Sequence, residues 1–197
     1  MGNIRMKILV MASLMTVSFS LSEADAVNFE DGGTHIIDYD AGNGVEVRDG
    51  PSGETTTVIV TSGGQIWWTL YLFESSKAYI TGGLIGGAGQ GWLIADQTSS
   101  FIISGGEIKR DFLARYSSKS TISGGLFGGI ISAGYDDSPT GYIDHAEITI
   151  IGRNFKVCGQ SVGPGTYTVA NSPFGAGHLT GTLANGDPFD NLVVIYN

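Results

Sequence analysis

The chain has 197 residues, 42% apolar and 15% charged, with 31 Gly, one Cys and a net charge of −9. That length fits one domain, or at most two small ones, and the apolar content is too high for a disordered acidic chain. Glycines recur in pairs and not at every third position, which excludes collagen, and the acidic balance argues against nucleic acid, whose phosphates need clustered Lys and Arg.

At the N terminus, Arg5 and Lys7 precede an apolar run from Ile8 to Leu21, and Ala24-Asp25-Ala26 offers a small-x-small cleavage site. The pattern reads as a signal peptide over residues 1–26, with a mature chain beginning at Val27. The apolar run is shorter than the ~20 residues a bilayer span needs, so no membrane association is expected after cleavage. The segment carries two basic and two acidic residues, so its removal leaves the net charge unchanged. The expected localisation is therefore secreted or at a cell surface. Export implies an oxidising compartment, yet Cys158 alone closes no internal disulfide. Lying between Val157 and Gly159, it reads as a small buried hydrophobe, the alternative being an intermolecular bridge.

Residues 27–44 read as an N-terminal cap. Within them, Asp38-Tyr39-Asp40-Ala41-Gly42-Asn43-Gly44 spaces oxygen donors faintly like a Ca²⁺ loop but lacks a bidentate Glu, so it reads as a turn.

Internal repetition is the strongest signal in the sequence. Four segments align on paired glycines: Val60-Thr61-Ser62-Gly63-Gly64-Gln65-Ile66, Ile80-Thr81-Gly82-Gly83-Leu84-Ile85, Ile103-Ser104-Gly105-Gly106-Glu107-Ile108 and Ile122-Ser123-Gly124-Gly125-Leu126-Phe127. The pairs are spaced by 19, 23 and 19 residues. Between them runs a second apolar stretch ending near Ser75, Ser99, Ser117 and Ser138. Each unit reads strand, glycine corner, strand, polar corner. No sustained 3.6-residue period appears over 57–150, and β-branched residues flank nearly every corner, so helices are a poor reading.

Two short strands per unit cannot bury their own apolar side, whereas identical units stacked in parallel can. The expected fold is all-β: a short single-domain parallel β-helix, or β-solenoid, of about five coils over 45–142, with a C-terminal β cap over 143–197. An antiparallel sandwich is the rival. Stacking places Ile66, Ile85, Ile108 and Phe127 in one interior column. The structural corner glycines Gly63, Gly64, Gly82, Gly83, Gly105, Gly106, Gly124 and Gly125 then supply positive φ and avoid a clash with the coil above.

The phrase Val47-Arg48-Asp49-Gly50-Pro51-Ser52-Gly53-Glu54-Thr55-Thr56-Thr57-Val58, the recurring Ile-Ser-Gly-Gly and the ending His178-Leu179-Thr180-Gly181-Thr182-Leu183-Ala184-Asn185-Gly186-Asp187-Pro188 resemble small secreted bacterial β-solenoid proteins. Many of those carry a Pro-Glu-Pro C-terminal sorting signal. The resemblance covers most of residues 45–190 and implies a secreted matrix or surface component, with no catalytic residues to carry over. This sequence ends at Tyr196-Asn197 without that signal, so anchoring by that route is not expected.

Candidate chemistry is sparse. Asp96, Asp111 and Asp136 fall at comparable places in three units, near Lys109, Arg110 and Arg115, as a polysaccharide-degrading site would require. A solvated polar face explains them as well, and no enzyme activity, cofactor or metal is expected. His35, His145 and His178 lack metal-ligand spacing. Gly86 to Gly91 lacks the Lys-Ser/Thr of a phosphate loop. Thr55 to Thr57 form no ladder for ice. If Ile66 points inward, alternation sends Trp68, Leu70 and Leu72 inward and Trp67, Tyr71 and Phe73 outward, a candidate aromatic binding platform. The sequence therefore predicts a secreted, non-enzymatic structural or adhesive component, with a carbohydrate-binding module as the alternative. Glycans or other matrix proteins are the expected partners, with self-association through the solenoid ends.

Overall fold

The computed structural model describes residues 26–87, 91–134, 145–162, 165–169 and 177–195. In chain order it begins with β1 (Val27–Phe29), β2 (Thr34–Ile37) and β3 (Gly44–Val47). The next pass is β4 (Thr57–Val60), β5 (Gln65–Ile66) and β6 (Thr69–Leu72), followed by β7 (Lys77–Ile80), β8 (Leu84–Ile85) and β9 (Leu93–Ala95). Longer strands then turn a corner within themselves: β10 (Ser100–Ile108) before β11 (Phe112–Ala114), and β12 (Lys119–Phe127) before β13 (Ile131–Ala133). The end is β14 (Glu147–Val157), β15 (Gln160–Ser161), β16 (Gly165–Val169), β17 (Gly177–Leu183) and β18 (Pro188–Ile195). The described residues are all-β and form a β-solenoid of about four turns.

Three parallel columns build the solenoid. The first stacks β2, β4, β7, the start of β10, the start of β12 and the start of β14. The second stacks β5, β8 and the later halves of β10 and β12, and the third β1, β3, β6, β9, β11, β13 and the end of β18. In-register pairing puts like on like. Ile37, Val60, Ile80, Ile103, Ile122 and Ile150 form one buried ladder. The expected interior column also forms, with Ile66, Ile85 and Ile108 fully buried and Phe127 half-buried against the core. The aligned β-branched side chains are stiff and fit one another rung by rung, so burial costs little rotamer entropy.

The glycine corners divide their work. A Cβ on Gly105 would stand 2.6 Å from the Thr81 carbonyl oxygen, and one on Gly124 2.2 Å from that of Ser104. The clash is thus with the backbone of the preceding turn, not of the turn above as the sequence suggested. Positive φ belongs to the second glycine, at Gly83, Gly106 and Gly125, whereas Gly63 and Gly64 need room alone.

The polar corner is also more specific than the sequence indicated. Its buried column is Thr56, Ser76, Ser99 and Ser118, one residue beyond Ser75 and Ser117, which face outward; Ser138 lies outside the described residues. The Ser76 hydroxyl donates to the Phe73 carbonyl at 2.6 Å, and the Ser99 hydroxyl accepts from the Asp96 amide at 2.9 Å. Outside this column, Glu74, Gln97 and Tyr116 take left-handed backbone at the same place in successive passes. Glu74 Oε2 accepts the Asp49 amide at 2.8 Å and Gln97 Oε1 accepts the Glu74 amide at 2.6 Å, so each corner caps the one before it.

Two expectations need correction at the ends. The segment 27–44, expected as a cap, already joins the columns, because β2 pairs in register with β4 and Ile37 is buried. Its bend after β2 has no glycine pair: Asp38 to Ala41 make the turn, and Asp40 bridges Gln65. Cys158 is exposed, not buried, because it lies in the turn between β14 and β15 at φ 49°.

The C-terminal segment closes the ladder. β14 pairs antiparallel with β16 from Ile148 to Gly152, and beyond Ile150 it leaves the first column and pairs antiparallel with β17, which pairs with β18. Phe155 and Phe189 are buried edge to face, 6.5 Å apart, and Phe189 meets Phe127 at 6.1 Å. The Asn185-Gly186-Asp187 turn sits on the last glycine corner: the Asn185 amide donates to the Ser123 carbonyl and Asp187 Oδ2 accepts the Gly125 amide at 2.7 Å. Buried Asn191 donates to the Phe127 and Gly129 carbonyls at 3.1 and 2.8 Å, satisfying acceptors that another turn would otherwise take.

Replacing Gly105 or Gly124 with Val is expected to cost at least ~1–3 kcal/mol, since the Cβ meets backbone in both, with the Asn185 side chain in addition at Gly124. Gly177→Ala is the control, because its Cβ would meet nothing nearer than 3.8 Å. Thermal melts should separate the two Val variants from both the control and the parent; equal melts would remove the close-approach account.

Candidate functional site

The three tryptophans of the chain, Trp67, Trp68 and Trp92, lie at the corner between the second and third columns. Trp67 and Trp68 form the bend between β5 and β6, and Trp92 stands just before β9 on the next pass. All three are exposed, at 36%, 53% and 46%. The inward expectation for Trp68 is therefore overturned. Strand alternation holds for Ile66, Leu70 and Leu72, which are buried, but at a bend two successive residues can both face solvent. The equivalent bends on later passes, Lys109 to Asp111 and Gly128 to Ile130, are polar or glycine-rich. Aligning them with Trp67-Trp68 is the sequence signal that marks this place as a corner.

Trp67 is fixed in place. Its indole Nε1–H donates to Asp40 Oδ2 at 3.0 Å, while Asp40 Oδ1 accepts the Gly42 amide at 2.9 Å. A Cβ on Gly87 would stand 2.1 Å from Trp67 Cε3, so only glycine lets that backbone lie against the ring. The corner is laddered by backbone as well. The Leu70 amide donates to the Trp92 carbonyl at 3.0 Å, and the Leu93 amide to the Asp111 carbonyl at 3.0 Å. Thr69 and Asp111 thus neighbour Trp92 on the turns to either side, and both are half-buried.

Tyr71 and Phe73 do point outward from the third column, but they are half-buried in a stack of their own. Their ring centroids are 3.9 Å apart; the Arg48 guanidinium lies 3.6 Å above Phe73, and that of Arg115 lies 5.9 Å from Tyr71. The Tyr71 hydroxyl donates to Asp96 Oδ2 at 2.7 Å. The sequence platform is therefore divided: Trp67 belongs to the tryptophan corner, and Tyr71 and Phe73 to a cation-π stack whose faces are taken by neighbouring turns.

The expected carboxylate set does not assemble at one place. Asp96 follows β9 at the polar corner, where it holds Tyr71 and the Gln97 amide. Asp111 precedes β11 at the opposite corner, and its Oδ1 accepts the Ile130 amide at 2.7 Å. Asp136 lies outside the described residues. His35 stacks on Phe29 and bonds to Asp31, His178 bonds to Asp190, and the His145 amide donates to the Tyr116 carbonyl. Among the described residues no group of three His, Cys, Asp or Glu could hold a metal ion. The glycine corner bears an open groove of ≈ 500 Å³ running from Ser62 past Gly83 to Gly106, and no ionisable side chain lines it. Among these surfaces, the tryptophan corner alone combines exposed aromatic area with a fixed geometry.

Comparison with family models, with curated proteins and with solved structures finds no match to the chain.

Burial and then the bond to Asp96 push the Tyr71 hydroxyl up to about 12 from the ordinary 10.0. The folded chain thus keeps this proton at a pH where the unfolded chain releases it. The associated stability is present below pH 10 and is lost as pH rises towards 12. Tyr71→Phe should flatten the alkaline fall of the denaturation midpoint; a slope equal to that of the parent would contradict the assignment.

Proposed function

We propose that the protein is an exported, non-enzymatic structural or adhesive component of an extracellular matrix or cell surface, and that the tryptophan corner is its contact surface. The observation that carries this reading is the exposure of all three indoles at one corner on neighbouring turns. Burying an indole is worth ~2–3 kcal/mol or more, so solvent-facing indoles grouped in one place favour an interaction over chance. Support for the non-catalytic part comes from Asp96 and Asp111, whose carboxylates hold other parts of the solenoid. The reading takes the fold as five coils. It is supported by five successive third-column strands, β3, β6, β9, β11 and β13, stacked in register between Gly44 and Ala133.

Two measurements on the exported full chain test it. N-terminal sequencing should find Val27 first, and the protein should adhere to isolated extracellular matrix. A Trp68→Ala/Trp92→Ala double variant should lose most of that adhesion at an unchanged melting temperature. Retention of residues 1–26 in the membrane would overturn the localisation, and undiminished adhesion of the double variant would overturn the contact surface.

A further inference from the structure

The chemistry of the corner points to a partner class. We propose that the tryptophan corner binds an uncharged polysaccharide, with sugar rings laid against the exposed indoles. The inference rests on the contact-surface reading above and names what is contacted.

Indole faces carry negative quadrupole density, and the C–H faces of a pyranose ring present weakly positive hydrogens, so the two stack without a strict hydrogen-bond code. Spacing supports a chain over a single sugar. Successive turns of the solenoid advance ~4.8 Å, close to the length of one pyranose residue, so a glycan laid along the axis meets successive turns in step. Trp67 and Trp68 occupy one turn and Trp92 the next.

Preorganisation supports it too. Trp67 is already held by Asp40 and by the Gly87 backbone, so little rotamer freedom remains to be lost on binding. The hydroxyl of Thr69 and the carboxylate of Asp111, on the turns beside Trp92, are groups suited to selecting among sugar hydroxyls. Charge narrows the class. At the corner itself Asp40 and Asp111 are matched by Lys109 and Arg110, so the surface is near neutral, as an uncharged ligand suits, and the net charge of −9 on the whole chain disfavours a polyanionic glycan. A second copy of the chain is the competing occupant. A corner of two turns offers it little area for an isologous interface.

The position of the tryptophans supplies the assay. Because all three lie at this corner, intrinsic tryptophan fluorescence of the full chain reports on it and on nothing else. The chain is titrated with cellohexaose, xylohexaose, laminarihexaose and chitohexaose, and with an alginate hexamer as the anionic comparison. At least one uncharged hexasaccharide should give a saturable change, and the alginate hexamer should give none. Trp68→Ala and Trp92→Ala should each weaken binding by about tenfold or more at an unchanged melting temperature. These two are chosen because Trp67→Ala also removes the contact with Gly87 and risks the fold.

No change with any uncharged hexasaccharide up to about 5 mM would overturn the proposal. So would equal affinity for alginate, or parent-like binding by both variants. A dimer mass by light scattering, with a sugar-independent and concentration-dependent fluorescence change, would assign the corner to a second copy. Matrix adhesion measured on the same variants keeps the two readings apart. Adhesion lost without sugar binding sinks the glycan and leaves the contact surface standing; sugar binding with undiminished adhesion does the reverse.

Discussion

The whole architecture depends on one distance. Parallel strands pair at ~4.8 Å, and every turn must approach its predecessor that closely at the strands and at the corners alike. A strand meets this demand with any residue, because its side chains project away from the ladder. A corner does not, since a Cβ there can point at the turn below. The first glycine of each pair relieves the contact, as Gly105 does over Thr81 and Gly124 over Ser104. At the opposite corner the solution is polar: the buried Ser76 and Ser99 hydroxyls engage backbone that the bend turns inward. Once the corners close, in-register stacking of Ile and Val follows without further instruction.

The same rule that lets turns add also requires a device to stop them. Each new rung exposes carbonyls and amides to the next, and an uncovered edge recruits other chains. Here Asn185, Asp187 and Asn191 take the place of another turn's backbone at the last glycine corner and just beyond it, while Phe155 and Phe189 cover the end of the core. The Leu183 to Asp187 phrase, distinctive in the sequence without an apparent task, thus has a physical role as a clasp.

What could be read from the sequence is what repeats. The glycine pairs fix the period, the period implies parallel stacking, and stacking places Ile66, Ile85 and Ile108 on one interior line, where they are found. What could not be read is what occurs once. The β2 pass bends through Asp38 to Ala41 without a glycine pair, so its membership in the first column shows only as pairing with β4. Cys158 sits in an apolar sequence context, yet a turn brings it to the surface. Trp68 follows Ile66 at inward parity, and only the bend between β5 and β6 turns it out. The candidate site was therefore half legible: Trp67 at its place, Trp68 on the wrong side, and Trp92 not singled out.

A solenoid built this way is a rigid post, and the tryptophans occupy a bend where other passes carry polar residues or glycine. That rigidity requires the corners to be as tightly laddered as the strands. Native-state amide hydrogen exchange tests this most directly. The Leu84 amide donates to the Gly64 carbonyl and the Glu107 amide to that of Gly83, each at 2.9 Å across the glycine corner. These two amides should exchange only through global unfolding, with the same free energy as Ile80 and Ile103 within the strands. Local exchange at Leu84 and Glu107, at the rate of exposed turn amides while the strands stay protected, would contradict the account.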